Sequence, residues 1–188
     1  PQYASASSGS TIEKAFKKIK KWWVIPEVKA IGQFYNHPSY IQCIINRAKD
    51  FNLSDYDHFM FSYHGIPERH VDKVYLDGKP CADHSCEDEI NSANSGCYKA
   101  TCYATTRLLV EGLKLTEGSY STCFQSRLGR DPWLTPYTDK VIEKLGQDGK
   151  KKILVFSPAF VADCLETTIE IGEEYFDLFK ENGGEKLQ

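Results

Sequence analysis

With 188 residues and 41% hydrophobic side chains, the chain is long enough for one compact α/β unit with a real core. A net charge of -3 and a pI near 6.0 exclude the electrostatic footprint of a nucleic-acid-binding protein. No run approaches the roughly 20 apolar residues of a membrane span and no charged-then-apolar leader opens the sequence, so a soluble, cytoplasmic protein is expected.

The opening residues, PQYASASSGST, read as the interior of a loop, which implies a longer parent chain. Residues 1–20 are expected to close a preceding domain and supply a connecting helix. Residues 21–188 are expected to form the main domain, with a cysteine-rich insertion at about 78–102. The basic run Lys14 to Lys21 (KAFKKIKK) is a solvated helix face or a peripheral contact with lipid headgroups. Lys29 to Tyr35 reads as a strand, His37 to Asp50 as a helix opened by Pro38, and His58 to Tyr63 (HFMFSY) as a second strand. Beyond the cysteines follow a helix at Tyr103 to Leu115, a strand at Ser121 to Ser126, a helix at Thr138 to Leu145 and a strand at Lys152 to Phe156. A long helix from Asp163 to Glu181 ends before Gly183 and Gly184. Strands separated by helix-length segments cannot pair as tight hairpins, so an α/β fold is expected: a parallel sheet flanked by helices in Rossmann-like topology. No G-x-G-x-x-G fingerprint is present, so phosphate binding of that kind is unsupported.

In such a sheet, functional groups gather where strands end. His64 follows HFMFSY directly, and Gly65 and Pro67 turn the chain away from the sheet. A neutral imidazole there can take a proton or meet a metal, or it can be a hydrogen-bonded structural histidine. Glu166, Glu170 and Glu174 recur at i, i+4 and i+8 and stack on one face of the last helix. A solvated stripe accounts for that spacing. Leu165, Ile169, Tyr175 and Phe176 instead argue that the row is packed against the protein, where carboxylates relay protons or cations. Trp133, between Pro132 and Pro136, reads alone as a loop anchor.

Cys81, Cys86, Cys97 and Cys102 form C-x4-C-x10-C-x4-C. Clustered thiols without a secretion signal favour a metal centre over disulfides, and the four-residue gaps sit at the wide limit for zinc. An iron–sulfur cluster, structural zinc and unligated thiols all remain open, with His84 able to replace one thiol. Cys43, Cys123 and Cys164 read as small buried hydrophobes, Cys164 lying two residues before Glu166.

The ordered set PQYASASSGST, SYHGIPER, FQSRLGRDPWLTPYTD and SPAFVADCLETTIEI resembles the ferrochelatase family over essentially the whole chain. The resemblance implies a chelatase-like fold and an enzyme, a lyase, that inserts Fe2+ into protoporphyrin IX in heme biosynthesis. It implies that His64 and Glu166 are catalytic and meet the substrate iron, that Glu170 and Glu174 continue the acidic row, and that Trp133 lines the porphyrin pocket. Tyr3 and Ser5 fall in the family's loop at the start of this segment, and Tyr3 is taken as a porphyrin contact. Some members carry a two-iron two-sulfur cluster, which would take Cys81, Cys86, Cys97 and Cys102.

The family is about twice this length. The missing N-terminal half is therefore an expected partner, this piece alone is expected to turn over little substrate, and a homodimer is compatible with the sequence. A relative inserting another metal into another tetrapyrrole, or a noncatalytic metal-cluster module, are the competing readings; only the module would be indifferent to His64.

Overall fold

A computed structural model describes all 188 residues. The sheet is built on β1 (His58–His64), where Phe59, Phe61 and Tyr63 alternate with His58, Met60 and Ser62, and both sets are buried. Side chains on a strand point to opposite faces in turn, so a strand buried on both sides must lie in the middle of three layers. β2 (Tyr120–Gln125) and β3 (Lys152–Phe156) flank it in parallel, and β4 (Lys186–Leu187) extends the β3 side, giving the order β2-β1-β3-β4.

One face packs Phe59, Phe61, Tyr63, Phe124 and Leu154 against α2 (Pro38–Ala48) and α4 (Tyr98–Leu113). The other packs Met60, Cys123 and Ile153 against Ile142 of α5 (Thr138–Gln147) and Phe179 of α6 (Phe176–Glu181). The expected α/β fold with a parallel, helix-flanked sheet is the observed one.

Two expectations about the strands are corrected. Lys29 to Tyr35 is not a strand: the chain there has no regular secondary structure, Ile31 is 80% exposed, and the segment makes one backbone bond to the start of the chain, from Phe34 N–H to Pro1 O at 2.8 Å. A short apolar run makes a strand only where a sheet edge is free to pair, and this segment pairs with none. The fourth strand is β4, too short for a periodic signal; the ladder beside it continues through Gln188 N–H to Ile153 O and Val155 N–H to Gln188 O.

The helix expected from Asp163 begins at Leu165, and from Glu166 to Tyr175 it is wound as a π-helix before α6. Before the sheet, a π turn (Ser5–Gly9) leads into α1 (Ser10–Ile19), whose lysine-rich surface is exposed together with the following Trp22 and Trp23. α3 (Glu68–Asp72) follows the turn after β1. No helix is long and apolar enough to cross a membrane.

Candidate functional site

In a parallel sheet ordered 2-1-3-4, the chain leaves β1 and β3 toward opposite sides, so a crevice opens past their C-terminal ends. His64 ends β1, and Ala159 and Phe160 follow β3. They meet there, with the His64 and Phe160 rings 6.2 Å apart between centroids. Both line a cavity of about 560 Å3 with Gln2, Gly65, Tyr98 and Trp133.

The His64 tautomer follows from its partner. Nδ1 lies 2.6 Å from the Gly65 carbonyl oxygen, which only accepts, so Nδ1 carries the hydrogen and Nε2 keeps a lone pair. The backbone of His64 is held too, since the Tyr98 hydroxyl donates to its carbonyl oxygen at 2.8 Å.

Gly65 is required by close approach: a Cβ there would fall 2.8 Å from Gln125 O and 3.3 Å from Trp133 Cε3. Without it, the Gly65 N–H could not bond Gln125 O at 2.8 Å, nor could the Trp133 loop close on the turn. That loop is pinned by Leu134 N–H to Ile66 O at 3.0 Å, Glu68 N–H to Pro132 O at 2.9 Å and an Arg69–Asp131 ion pair. Trp133 is thereby brought to the cavity, and its indole N–H is buried without a partner.

Gln125, at the end of β2, stands across the sheet from His64 and is buried. Its Oε1 accepts from Ser62 Oγ at 2.7 Å, and its Nε2 donates to Glu166 O and to Glu170 Oε2, each at 3.0 Å. Glu170 also accepts from Ser126 N–H at 2.8 Å, Ser126 Oγ at 2.5 Å and Tyr175 Oη at 2.7 Å. Ser126 sits at φ +64°, and that left-handed turn lets both of its donors face one carboxylate. Tyr175 is five residues after Glu170. A π-helix, bonded i to i+5, sets such a pair side by side, whereas an α-helix would turn them apart. Burial pushes the Tyr175 phenol well up, and the hydrogen bond to Glu170 adds to it.

The acidic row is thus divided by environment. Glu170 is fixed by four donors, Glu166 is half-buried and Glu174 is exposed. Glu166 is held below the usual carboxylate range by its own backbone N–H first and then by the Cys164 side chain. Tyr3 is not among the residues lining the cavity; its ring lies over Gly9 and Gly32. Gln125 and Ser126 carried no sequence signal beyond membership of the quoted segments, Tyr98 lies outside them, and Tyr175 was read only as a packing residue of the last helix.

The thiols form a second constellation. Cys81, Cys86 and Cys97 are buried with Sγ–Sγ separations of 3.4, 3.5 and 3.8 Å. The Tyr75 hydroxyl lies 2.7 Å from Cys86 Sγ, and His84 stacks on the Tyr75 ring at 3.7 Å. Hydrogen bonds from Cys81 and Cys86 hold the Cys97 thiol low, and the backbone N–H of Ala100 in the first turn of α4 adds to this.

Cys102 stands outside the group. On an α-helix five residues turn about 140°, so it faces away from Cys97 and lies against Tyr98. The trio fits the donor demand of a thiolate-bound metal centre; a four-thiolate cluster needs one donor more.

The whole chain, residues 1–188, matches the family model described as Ferrochelatase. Curated relatives named ferrochelatase are 44% identical over 187 residues in Legionella pneumophila (strain Philadelphia 1), 39% over 189 in Pseudomonas fluorescens (strain SBW25) and 37% over 190 in Pseudomonas putida (strain KT2440). Each alignment covers 100% of this chain and 55 to 56% of the relative, so the chain spans about half the length of the curated relatives it matches.

Proposed function

Because the chain belongs to the ferrochelatase family, we propose that it carries the catalytic residues of an enzyme that inserts Fe2+ into protoporphyrin IX, a porphyrin metal chelatase of the lyase class, completed by the rest of the protein. The observation that carries this reading is the His64 side chain. It is fixed through Nδ1, offers the Nε2 lone pair at the crevice, and lies near a carboxylate held in its ionised form.

Insertion exchanges two pyrrole N–H protons for one divalent cation. His64 Nε2 accepts one proton from the macrocycle, and the Glu166 carboxylate stabilises the imidazolium that forms. The second pyrrole proton passes to the Glu166 carboxylate and leaves by the exposed Glu174 to solvent, while Glu170, saturated by four donors, holds the π-helix against β2. Trp133 supplies an aromatic wall for the macrocycle, with a free indole N–H for a polar group of the ligand.

For the thiols we infer a resident metal centre. A two-iron two-sulfur cluster takes four thiolates, and Cys102 would have to turn toward the trio to complete the set. The sulfur separations of the trio favour a second reading, since a tetrahedral ion with metal–sulfur bonds of about 2.3 Å has sulfur edges of about 3.8 Å. Metal and sulfide analysis of anaerobically purified protein separates them: iron with equimolar acid-labile sulfide is the cluster, and zinc without sulfide is the single ion.

The proposed activity is tested on the complete protein, with anaerobic Fe2+ and protoporphyrin IX, by following loss of free-base porphyrin fluorescence. Conversion supports the reading, and a protein that binds porphyrin but never metallates it refutes it.

A further inference from the structure

The thiol site and His64 are joined by a short covalent and hydrogen-bonded path. Cys97, one of the three convergent thiols, caps the N-terminus of α4, and the next residue is Tyr98. Tyr98 is buried, and its hydroxyl donates to the His64 carbonyl oxygen at 2.8 Å. The following carbonyl, that of Gly65, accepts from His64 Nδ1 at 2.6 Å. Tyr98 therefore grips the same peptide segment whose next oxygen sets the imidazole tautomer.

The loop that delivers the thiols has little regular structure of its own. Between Cys81 and Cys97 it contains a single 3-10 turn (Cys81–His84). Buried Asn94 ties it internally, donating from Nδ2 to His84 O at 3.3 Å and to Glu89 O at 2.9 Å and accepting from Asn91 N–H at 2.8 Å. Outward it is tied by the three thiols and the Tyr75 hydroxyl, by Cys81 N–H to Asp72 Oδ1 at 2.8 Å, by Arg107 donating to Glu87 O at 2.6 Å, by the Lys99–Glu87 ion pair and by Gln33 Nε2 donating to Ser95 O at 3.2 Å. A cation held by three thiolates replaces weak S–H contacts with metal–sulfur bonds and fixes Cys97, and with it the first turn of α4.

We propose that Tyr98 is a positioning residue that couples occupancy of the Cys81–Cys86–Cys97 site by a thiolate-seeking cation to the orientation of His64. The proposal rests on the roles given above to His64 and to the thiols. A cation at the trio sets Cys97, Cys97 sets the Tyr98 ring, and the Tyr98 hydroxyl sets the peptide that orients the imidazole toward the crevice. The thiol site then acts on proton transfer without meeting the substrate, and no electron is moved.

The test uses the complete protein with 15N-labelled histidine, treated with chelator and then titrated with Cd2+ as the probe, as wild type and as Tyr98→Phe; the His64 signals are assigned with His64→Gln. Cd2+ should produce the same thiolate-to-metal absorption and the same stoichiometry in both proteins. The His64 nitrogen signals should shift on Cd2+ binding in the wild type and stay still in Tyr98→Phe. No shift in the wild type, or an equal shift in both, overturns the proposal. Should chelation unfold the protein, untreated wild type and untreated Tyr98→Phe are compared, and identical His64 signals overturn it equally. In the insertion assay Tyr98→Phe should lose kcat severalfold. Coupled His64 signals in a wild type that inserts no iron would sink the activity proposed above and leave the coupling standing.

Discussion

His64 and Gln125 are partners across the β1–β2 ladder, and the Gln125 amide carries that pairing onward to the Glu170 carboxylate at 3.0 Å. One strand-end residue thus fixes the distance between His64 and the acidic helix. Replacing it as Gln125→Leu leaves Ser62 Oγ short of an acceptor and Glu170 short of a donor. The expected cost is about 1 to 3 kcal/mol of unfolding free energy. Urea unfolding should show it, together with a fall in insertion rate larger than the stability loss explains. A variant as active as the parent would mean that the acidic helix needs no such anchor.

Gly65 has no room for a side chain, because the nearest atom to an added Cβ is backbone, Gln125 O at 2.8 Å. In Gly65→Ala the β1 turn or the Trp133 loop must move, at a cost of about 1 to 3 kcal/mol. Porphyrin binding, followed by the Soret band, should weaken along with stability. Undiminished binding would show that the turn and the Trp133 wall are independent.

His58 gives the fold an acid-sensitive step. Burial first, and then the charge of Lys150, lower its pKa from 6.5 to about 4, and its Nδ1 is buried without a partner. Above pH 6.5 the histidine is neutral in both states and contributes no slope. Between 6.5 and about 4 the unfolded chain binds a proton that the native state refuses, so stability falls as pH falls through that window. In His58→Gln the unfolding free energy should lose this part of its slope, measured by urea titrations at steps from pH 7.5 to 4.5. An unchanged slope would place the acid sensitivity among the carboxylates.

The thiol trio predicts a selective loss of metal. Cys86→Ser should abolish retention of the resident metal and lower the melting temperature, because an ion that binds only the folded chain adds to its stability. Cys43→Ser, at an exposed thiol on α2, should do neither. Equal metal content in all three proteins would contradict the assignment.

Much of this architecture could be read from the sequence because its cause is local. HFMFSY alternates two buried faces, and KILVF is a short apolar run between helices; both became strands at the positions expected. The stretch from Lys29 to Tyr35 is also a short apolar run, but a strand needs a partner too, and sequence does not reveal where sheet edges are free. The thiol spacing pointed to a cluster, yet Cys102 is carried away from Cys97 by helix rotation that spacing alone does not express. What Gln125 and Tyr175 bind was invisible for a different reason, although Tyr175 was expected to pack the last helix. Their importance comes from cross-strand register and from π winding, and neither leaves a compositional mark.

The central claim, that His64 Nε2 accepts a pyrrole proton during metal insertion, is tested most directly by His64→Ala in the complete protein, assayed anaerobically with Fe2+ and protoporphyrin IX. Circular dichroism and porphyrin affinity serve as controls for folding and binding. The account predicts a kcat lowered by about 100-fold or more, the usual worth of a positioned general base, with porphyrin still bound. A variant that binds porphyrin and inserts iron at the parental rate would contradict it.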